Sequence, residues 1–209
     1  VIYGMAHGGA MSIFQGAASA IQFDGFHLVV AETSQNIHRR TEDEAKHIRA
    51  LIDKGIQGLI IYTEPTDQNR GLLEEALVKG IPVVQIDRYL EGLACDYVGI
   101  ENALAAKEMT EHLIEVGHQL IAFLSFHYAA STCKEREQGY RDALEQHNIP
   151  FDHALVAYCN PAPDRISAIT RILQQWKTLA EPPTAIFAVN DELALAVSRV
   201  LSGLPVRVP

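Results

Sequence analysis

The 209-residue chain predicts an α/β fold built on parallel sheets, and three observations carry that expectation. Strand-like and helix-like segments alternate from end to end at the spacing of right-handed βαβ crossovers. Strands such as the one holding Val83, Val84 and Ile86 are too continuously apolar for a sheet with one wet face, so helices should cover both sides. Helical stretches stop at Gly55, Gly80 and Gly117, each followed within a few residues by the next strand.

Residues 27–31 and 57–62 read as strands, with a helix between them. In that helix Thr41 and Glu44 form a capping-box pair, Ala45, Ile48 and Ile52 make an apolar stripe, and Gly55 sits where a left-handed cap belongs. The unit then repeats as a helix over 72–79 and a strand over 82–86 that stops at Asp87-Arg88. A short strand, Tyr97-Val98-Gly99-Ile100, precedes a helix over 103–116 whose stripe of Ala105, Met109, Leu113 and Val116 is expected to face inward. Further strands fall at 120–124, 154–158 and 184–189. Helices fall at 135–147, at 166–179 with Ile169, Ile172, Leu173 and Trp176 inward, and at 192–201.

Four strands up to residue 86 and three from 120 onward are parted by the polar, Gly-containing tract 88–96. Two lobes, 1–100 and 101–209, hinged near residue 100 with a ligand cleft between them, fit this spacing. A single doubly wound sheet accommodates the same pattern.

Composition narrows the function classes. At this length a folded chain buries about 70% of its unfolded surface, enough for a substantial core. Lys and Arg number 17 against 26 Asp and Glu, a formal charge of −9, and no basic stretch exceeds Arg39-Arg40, so this surface is a poor partner for phosphate backbones. Cys95, Cys133 and Cys159 are odd in number and widely spaced, which reads as free thiols in a reducing cytoplasm rather than a metal or redox site. The opening residues lack a signal-peptide pattern, and no apolar run approaches the ~20 residues of a membrane span.

Nine histidines are scattered without metal-ligand spacing, and the Walker A, G-x-G-x-x-G and G-x-S-x-G signatures are absent. Nothing in the residues asks for an enzyme or a cofactor. Gly8-Gly9 is a lone glycine pair, expected in a ligand-facing loop.

Polar groups at strand ends supply the candidate site. Open parallel sheets bind ligands at the carboxyl ends of their strands. Asp87-Arg88 lies there, as do Asn190-Asp191, which double as a helix cap and a first-turn acid. Thr33, Ser34 and Gln35, Tyr62 and Thr63, and Phe126 and His127 hold corresponding positions. Phe14, Tyr62, Tyr89 and Phe126 offer faces on which a sugar ring or nucleobase could stack. Arg136 shares a core-side stripe with Tyr140 and opposes the dipole in the expected first turn of its helix. It serves either a ligand or a salt bridge to an acid such as Glu135 or Glu137. Gly139, three residues on, costs the helix ~1 kcal/mol against Ala, which points to a close backbone or ligand.

Residues 81–124, followed by Ser131-Thr132, by Arg136-Glu137-Gln138-Gly139-Tyr140, and by Pro183-Thr184-Ala185-Ile186-Phe187-Ala188 with Asn190-Asp191, resemble the effector-binding domain of the lactose/galactose repressor family of bacterial transcription regulators. The likeness runs from about residue 16 to 209. It implies a two-lobed, periplasmic-binding-protein-like fold, a small effector, usually a sugar, bound between the lobes, and a cytoplasmic homodimer. Effector binding would shift lobe closure and change operator affinity through an N-terminal helix-turn-helix. By motif, the resemblance gives Asp87, Arg136, Asn190 and Asp191 effector-contacting positions.

Three departures accompany the likeness. The helix-turn-helix headpiece is not among these residues, so this chain by itself is not expected to bind an operator. His7-Gly8-Gly9-Ala10-Met11 replaces the usual Asn-Pro-Phe type sequence. The residues end before the strand that normally carries a Gly-aromatic-Asp sequence. The alternative, an exported sugar-binding protein of an uptake system, shares the fold, but GHQLIAFL and the unpaired cysteines favour the regulator.

Overall fold

The computed structural model describes residues 2–3, 8–23, 25–34, 36, 38–127, 130–160 and 164–204. It divides into two compact units, Val1–Ile100 and Glu101–Pro209.

Unit 1 holds five parallel strands: β1 (Ile2–Tyr3), β2 (Ala31–Glu32), β3 (Leu59–Ile61), β4 (Val83–Ile86) and β5 (Asp96–Val98), in the order β2-β1-β3-β4-β5. Helices α1 (Gly8–Phe23), α2 (Arg40–Asp53) and α3 (Arg70–Val78) connect the first four. The core gathers Ile48, Leu51 and Ile52 of α2, Leu73 and Ala76 of α3, and Leu59, Ile61 and Val83 of the strands. Gly55 and Gly80 end α2 and α3 at φ of 69° and 77°, the left-handed caps the sequence predicts.

Three expectations change in unit 1. The strand expected from residue 27 is reduced to Ala31–Glu32, which pairs with Ile2 and Tyr3 of β1. Gly8-Gly9 opens α1 instead of lying in a loop. The capping box of Thr41 and Glu44 does not form. Arg39 is the cap residue of α2 and makes no side-chain cap bond, and Glu44 lies on the buried stripe with Ala45 and Ile48, where its carboxylate turns to tertiary partners.

Unit 2 comprises α4 (Asn102–Glu115), β6 (Ile121–Phe126), α5 (Ser131–Gln146), β7 (Val156–Cys159), α6 (Arg165–Lys177), β8 (Ala185–Ala188) and α7 (Asp191–Leu201). Its sheet is parallel with the order β7-β6-β8, and every residue of the central strand β6 is buried. Phe123 stacks on Tyr140 at 5.1 Å and meets Phe187 edge-on at 5.4 Å. The Tyr140 hydroxyl donates to the Ile121 carbonyl at 2.8 Å, and burial pushes its pKa up to about 12. Burying one such ring contributes on the order of 3 kcal/mol. Ile169, Leu173 and Trp176 of α6 are buried as the pattern predicts, with Ile172 partly buried against the same core.

The helix α4 corrects its expected stripe. Ala105, Met109 and Val116 are exposed, Met109 by 51% and Val116 by 59%, while Asn102, Ala106 and Thr110 are the buried face. Hydrophobicity is outweighed here by closeness of approach, because small residues let α4 press against α5. A methyl group built on Gly139 would overlap the Ala103 carbonyl oxygen and stand 2.9 Å from the Lys107 nitrogen. Gly139 therefore marks a backbone contact.

Candidate functional site

The carboxyl edge of the unit 1 sheet is built around buried charge. The β4 strand ends at Asp87, whose φ of 65° is left-handed, a conformation that costs a non-glycine residue about 1 kcal/mol but that Asp tolerates. Its amide donates to the Val98 carbonyl at 2.8 Å, and the Tyr97 hydroxyl donates to its carbonyl at 2.8 Å. Gln85, one register step before the strand end, ties the following loop by accepting from the Leu90 amide at 2.8 Å.

Arg88 turns inward and is 7% exposed. Its guanidinium lies over the Tyr62 ring at 4.1 Å and reaches the Glu64 carboxylate at 3.5 Å, while among the described residues its Nε has no hydrogen-bond partner. Behind it, Glu44 Oε1 accepts from the Glu64 amide at 2.9 Å and Glu44 Oε2 from Asn69 Nδ2 at 2.7 Å. Burial pushes the Glu44 carboxyl up, against the lowering effect of the Asn69 and Glu64 donors. Tyr62 thus serves first as the platform of Arg88. Thr33 is buried, its hydroxyl without a hydrogen-bond partner among the described residues; Gln35 lies outside them, and the Phe14 side chain is likewise not described.

In unit 2 the edge is built on neutral acceptors. Arg136 is half-buried, donates from Nε to Asn102 Oδ1 at 2.9 Å and from Nη1 to the Val189 carbonyl at 2.6 Å. Asn102, 1% exposed, passes the contact on by donating to Glu135 Oε2 at 2.9 Å. Of the two roles open to Arg136, the salt bridge to Glu135 or Glu137 is not the one seen: its described partners are neutral. Glu137 instead accepts from Arg141 at 2.7 Å and from the Tyr158 hydroxyl at 2.7 Å. The dipole argument for Arg136 also lapses, since Ala130 caps α5 four residues earlier than expected and Arg136 falls in the second turn. What holds it is tertiary.

Asn190 follows β8 and caps α7, its Oδ1 accepting from the Leu193 amide at 3.0 Å. Asp191 is exposed in the first turn of α7. The Val189 carbonyl bonded to Arg136 directly precedes this pair, so Arg136, Asn190 and Asp191 form one neighbourhood. Phe126 ends β6, is buried, and lies 5.8 Å beneath the Arg165 guanidinium, which pairs with Glu192 of α7. On the other flank of β6, Ser125, Phe126, His127, Lys134, Glu137 and Tyr158 line a cavity of about 270 Å³. Larger hollows of about 540 and 450 Å³ open at the amino ends of β8 and of β3 and β4, with mainly apolar walls. Polar groups, by contrast, collect at the carboxyl edge of each unit's sheet, where parallel sheets commonly bind their ligands.

Sequence reasoning did not anticipate Asn102, Glu64 or Arg165. Arg165 carried a signal, a cation at the very start of a helix, where the dipole disfavours it. Asn102 carried none, since its role depends on the α4–α5 contact.

These features define a class of fold: two α/β units, each built on a parallel sheet, with polar groups at the carboxyl strand ends. Residues 10–206 match the family model described as periplasmic binding proteins and the sugar binding domain of the LacI family, and the chain belongs to that family. It is 31% identical over 173 residues to the "Probable HTH-type transcriptional regulator EndR" of Paenibacillus polymyxa, covering 81% of this chain and 48% of the relative. It is 27% identical to the "HTH-type transcriptional repressor PurR" of Vibrio vulnificus, covering 94% of this chain and 57% of that protein. The chain thus spans about half the length of these curated relatives.

Among solved structures, the "transcriptional regulator CelR-cellobiose complex" superposes with a TM-score of 0.79 at 29% identity, over 96% of this chain and 59% of that one. A sugar-binding LacI-family regulator from Escherichia coli, complexed with phosphate, gives 0.77 at 25% identity over 100% of this chain and 73% of that one. Among the described residues no helix is long and apolar enough to cross a membrane, and no group of three or more His, Cys, Asp or Glu is placed to hold a metal ion.

Proposed function

We propose that this chain is the effector-sensing part of a bacterial transcription regulator, cytoplasmic and homodimeric, and that it binds a small polar effector, a sugar or sugar derivative. One observation carries the reading. Arg136 is held half-buried at the carboxyl edge by two neutral oxygens, and among the described residues no carboxylate pairs with it, which leaves its remaining donors for a ligand acceptor. Asp87, Asn190 and Asp191 add acceptors and donors suited to hydroxyl groups, and Phe126 and Tyr62 add aromatic surface. Operator DNA would be engaged through a headpiece outside these residues, since the charge of −9 suits no phosphate backbone. The relatives named as regulators support this reading over an uptake protein, and regulators rather than enzymes are what the chain resembles.

A thermal-shift screen with D-ribose, D-glucose, D-galactose, cellobiose and hypoxanthine tests it. A ligand at 100 times its dissociation constant stabilises the fold by about 2.7 kcal/mol. Arg136→Ala should abolish that stabilisation while costing the ligand-free protein no more than about 1–2 kcal/mol for the two lost hydrogen bonds. A much larger intrinsic loss with ligand binding retained would assign Arg136 to holding α4, α5 and β8 together instead.

A further inference from the structure

The contacts of Arg88 go beyond what a buried ion pair requires. It follows Asp87 directly, so whatever fixes its guanidinium also fixes the strand end that presents the Asp87 carboxylate. That guanidinium bridges two strand ends: it departs from β4 and lands on Tyr62 and Glu64, which follow β3, at 4.1 Å and 3.5 Å. Glu64 in turn is held through its amide by Glu44 of α2, and Glu44 by Asn69 of the turn before α3. Four elements of unit 1 therefore converge on one cation.

The arrangement is poorly optimised for stability alone. One buried carboxylate, Glu64, pairs with the guanidinium, at a long 3.5 Å; a second, Glu44, is buried behind it, and among the described residues the Arg88 Nε has no hydrogen-bond partner. Uncompensated polar groups of this kind persist where geometry serves a site. Arg88 is itself shielded from solvent, so it acts through its neighbours rather than on a ligand.

We infer that Arg88 is a positioning residue for the unit 1 wall: gripped between the Tyr62 ring and the Glu64 carboxylate, it holds Asp87 in the left-handed conformation and the Tyr62 ring in the pose that effector binding uses. The inference rests on the effector reading given above for Asp87 and Tyr62. It names a residue whose replacement changes ligand affinity more than fold stability.

Two measurements test it. In the first, Arg88→Lys keeps a cation near Glu64 but loses the planar stack, and isothermal titration uses the tightest binder among D-ribose, D-glucose, D-galactose, cellobiose and hypoxanthine. The dissociation constant should rise at least tenfold while the ligand-free melting temperature stays within a few degrees. An affinity within twofold of the unsubstituted protein overturns the inference, as does a loss of affinity explained by global unfolding. In the second, which needs no ligand, the amide of Asp87 is followed by nitrogen-15 NMR. Glu64→Gln lies 23 positions from Asp87 in sequence, and should move that amide through Arg88. The displacement should disappear when Glu64→Gln is made in the Arg88→Lys background; the same displacement in both backgrounds, or none in either, overturns the coupling. If no compound binds the unsubstituted protein, the effector reading is what fails, and the amide measurement decides the positioning on its own.

Discussion

The two sheet edges reach similar ends by different means. Unit 1 builds its edge from buried charge: Arg88, Glu64 and Glu44 are all withdrawn from water and balance one another incompletely. Unit 2 builds its edge on a fully apolar central strand and steadies Arg136 with an amide oxygen and a backbone carbonyl. Buried charge carries a large desolvation cost that depends on protonation, whereas neutral hydrogen bonds over a packed core depend on shape. Unit 1 should therefore respond to pH, and unit 2 to changes of volume.

The largest expected effect is on shape. Gly139→Ala forces α5 off α4, because the added methyl overlaps backbone atoms of α4 that have no rotamer with which to yield. The loss should be at least about 3 kcal/mol, at the upper end of overpacking costs, and chemical denaturation reads it directly. Gly16→Ala in α1 of unit 1 is the contrast: a methyl there meets nothing within 4 Å, and the substitution should stabilise by up to about 1 kcal/mol. Equal effects at the two positions would erase the distinction between the helix contacts.

Protonation comes next. The Glu44 carboxyl is raised above the ordinary value of 4.5 by burial, so the folded state binds its proton more tightly than the unfolded state does. Its favourable contribution is complete below pH 4.5 and is lost as pH rises through the raised value. Each unit of elevation costs about 1.4 kcal/mol by neutral pH. Glu44→Gln should flatten this part of the stability curve. The slope is the informative quantity, since the Gln amide leaves Asn69 Nδ2 near a second donor and shifts the absolute stability on its own. An unchanged slope in the variant would move the pH response away from this cluster.

Periodicity made most of the fold readable, because it reports burial and burial decides element type. The strands of β4 and β6, the inward face of α6 and the glycine stops follow directly from it. Failures occurred where a second contact outweighed a local preference. Glu44 has the spacing of a capping box, yet its place on the buried stripe gave it the Glu64 amide and Asn69 as better partners. The apolar stripe of α4 reads as a core face, yet Ala106 and Thr110 pack because Gly139 admits a close helix contact. At the candidate site, Asp87, Arg136 and Asn190 were visible as polar residues at strand or helix ends. Arg88 was visible as half of a charged pair at a strand end, but its inward turn was not, because its burial depends on Tyr62 and Glu64, more than twenty residues away.

The smallest effect sharpens the division within unit 2 itself. Asn190 has two possible duties, and its Oδ1 is committed to the Leu193 amide, with φ of −155° and ψ of 171° placing it in the extended geometry of a helix cap. Asn190→Ala removes that bond and should cost about 1 kcal/mol, whereas Asn190→Ser or Asn190→Asp retains a cap oxygen and should cost only a few tenths. Ligand affinity separates the duties. If the Nδ2 donors serve the effector, Asn190→Asp keeps the stability of the cap but loses affinity, because a carboxylate supplies no donor to a ligand oxygen. If stability and affinity instead fall together across Ala, Ser and Asp, capping accounts for the whole of Asn190, and Arg136 with Asp191 carries the recognition on the unit 2 edge.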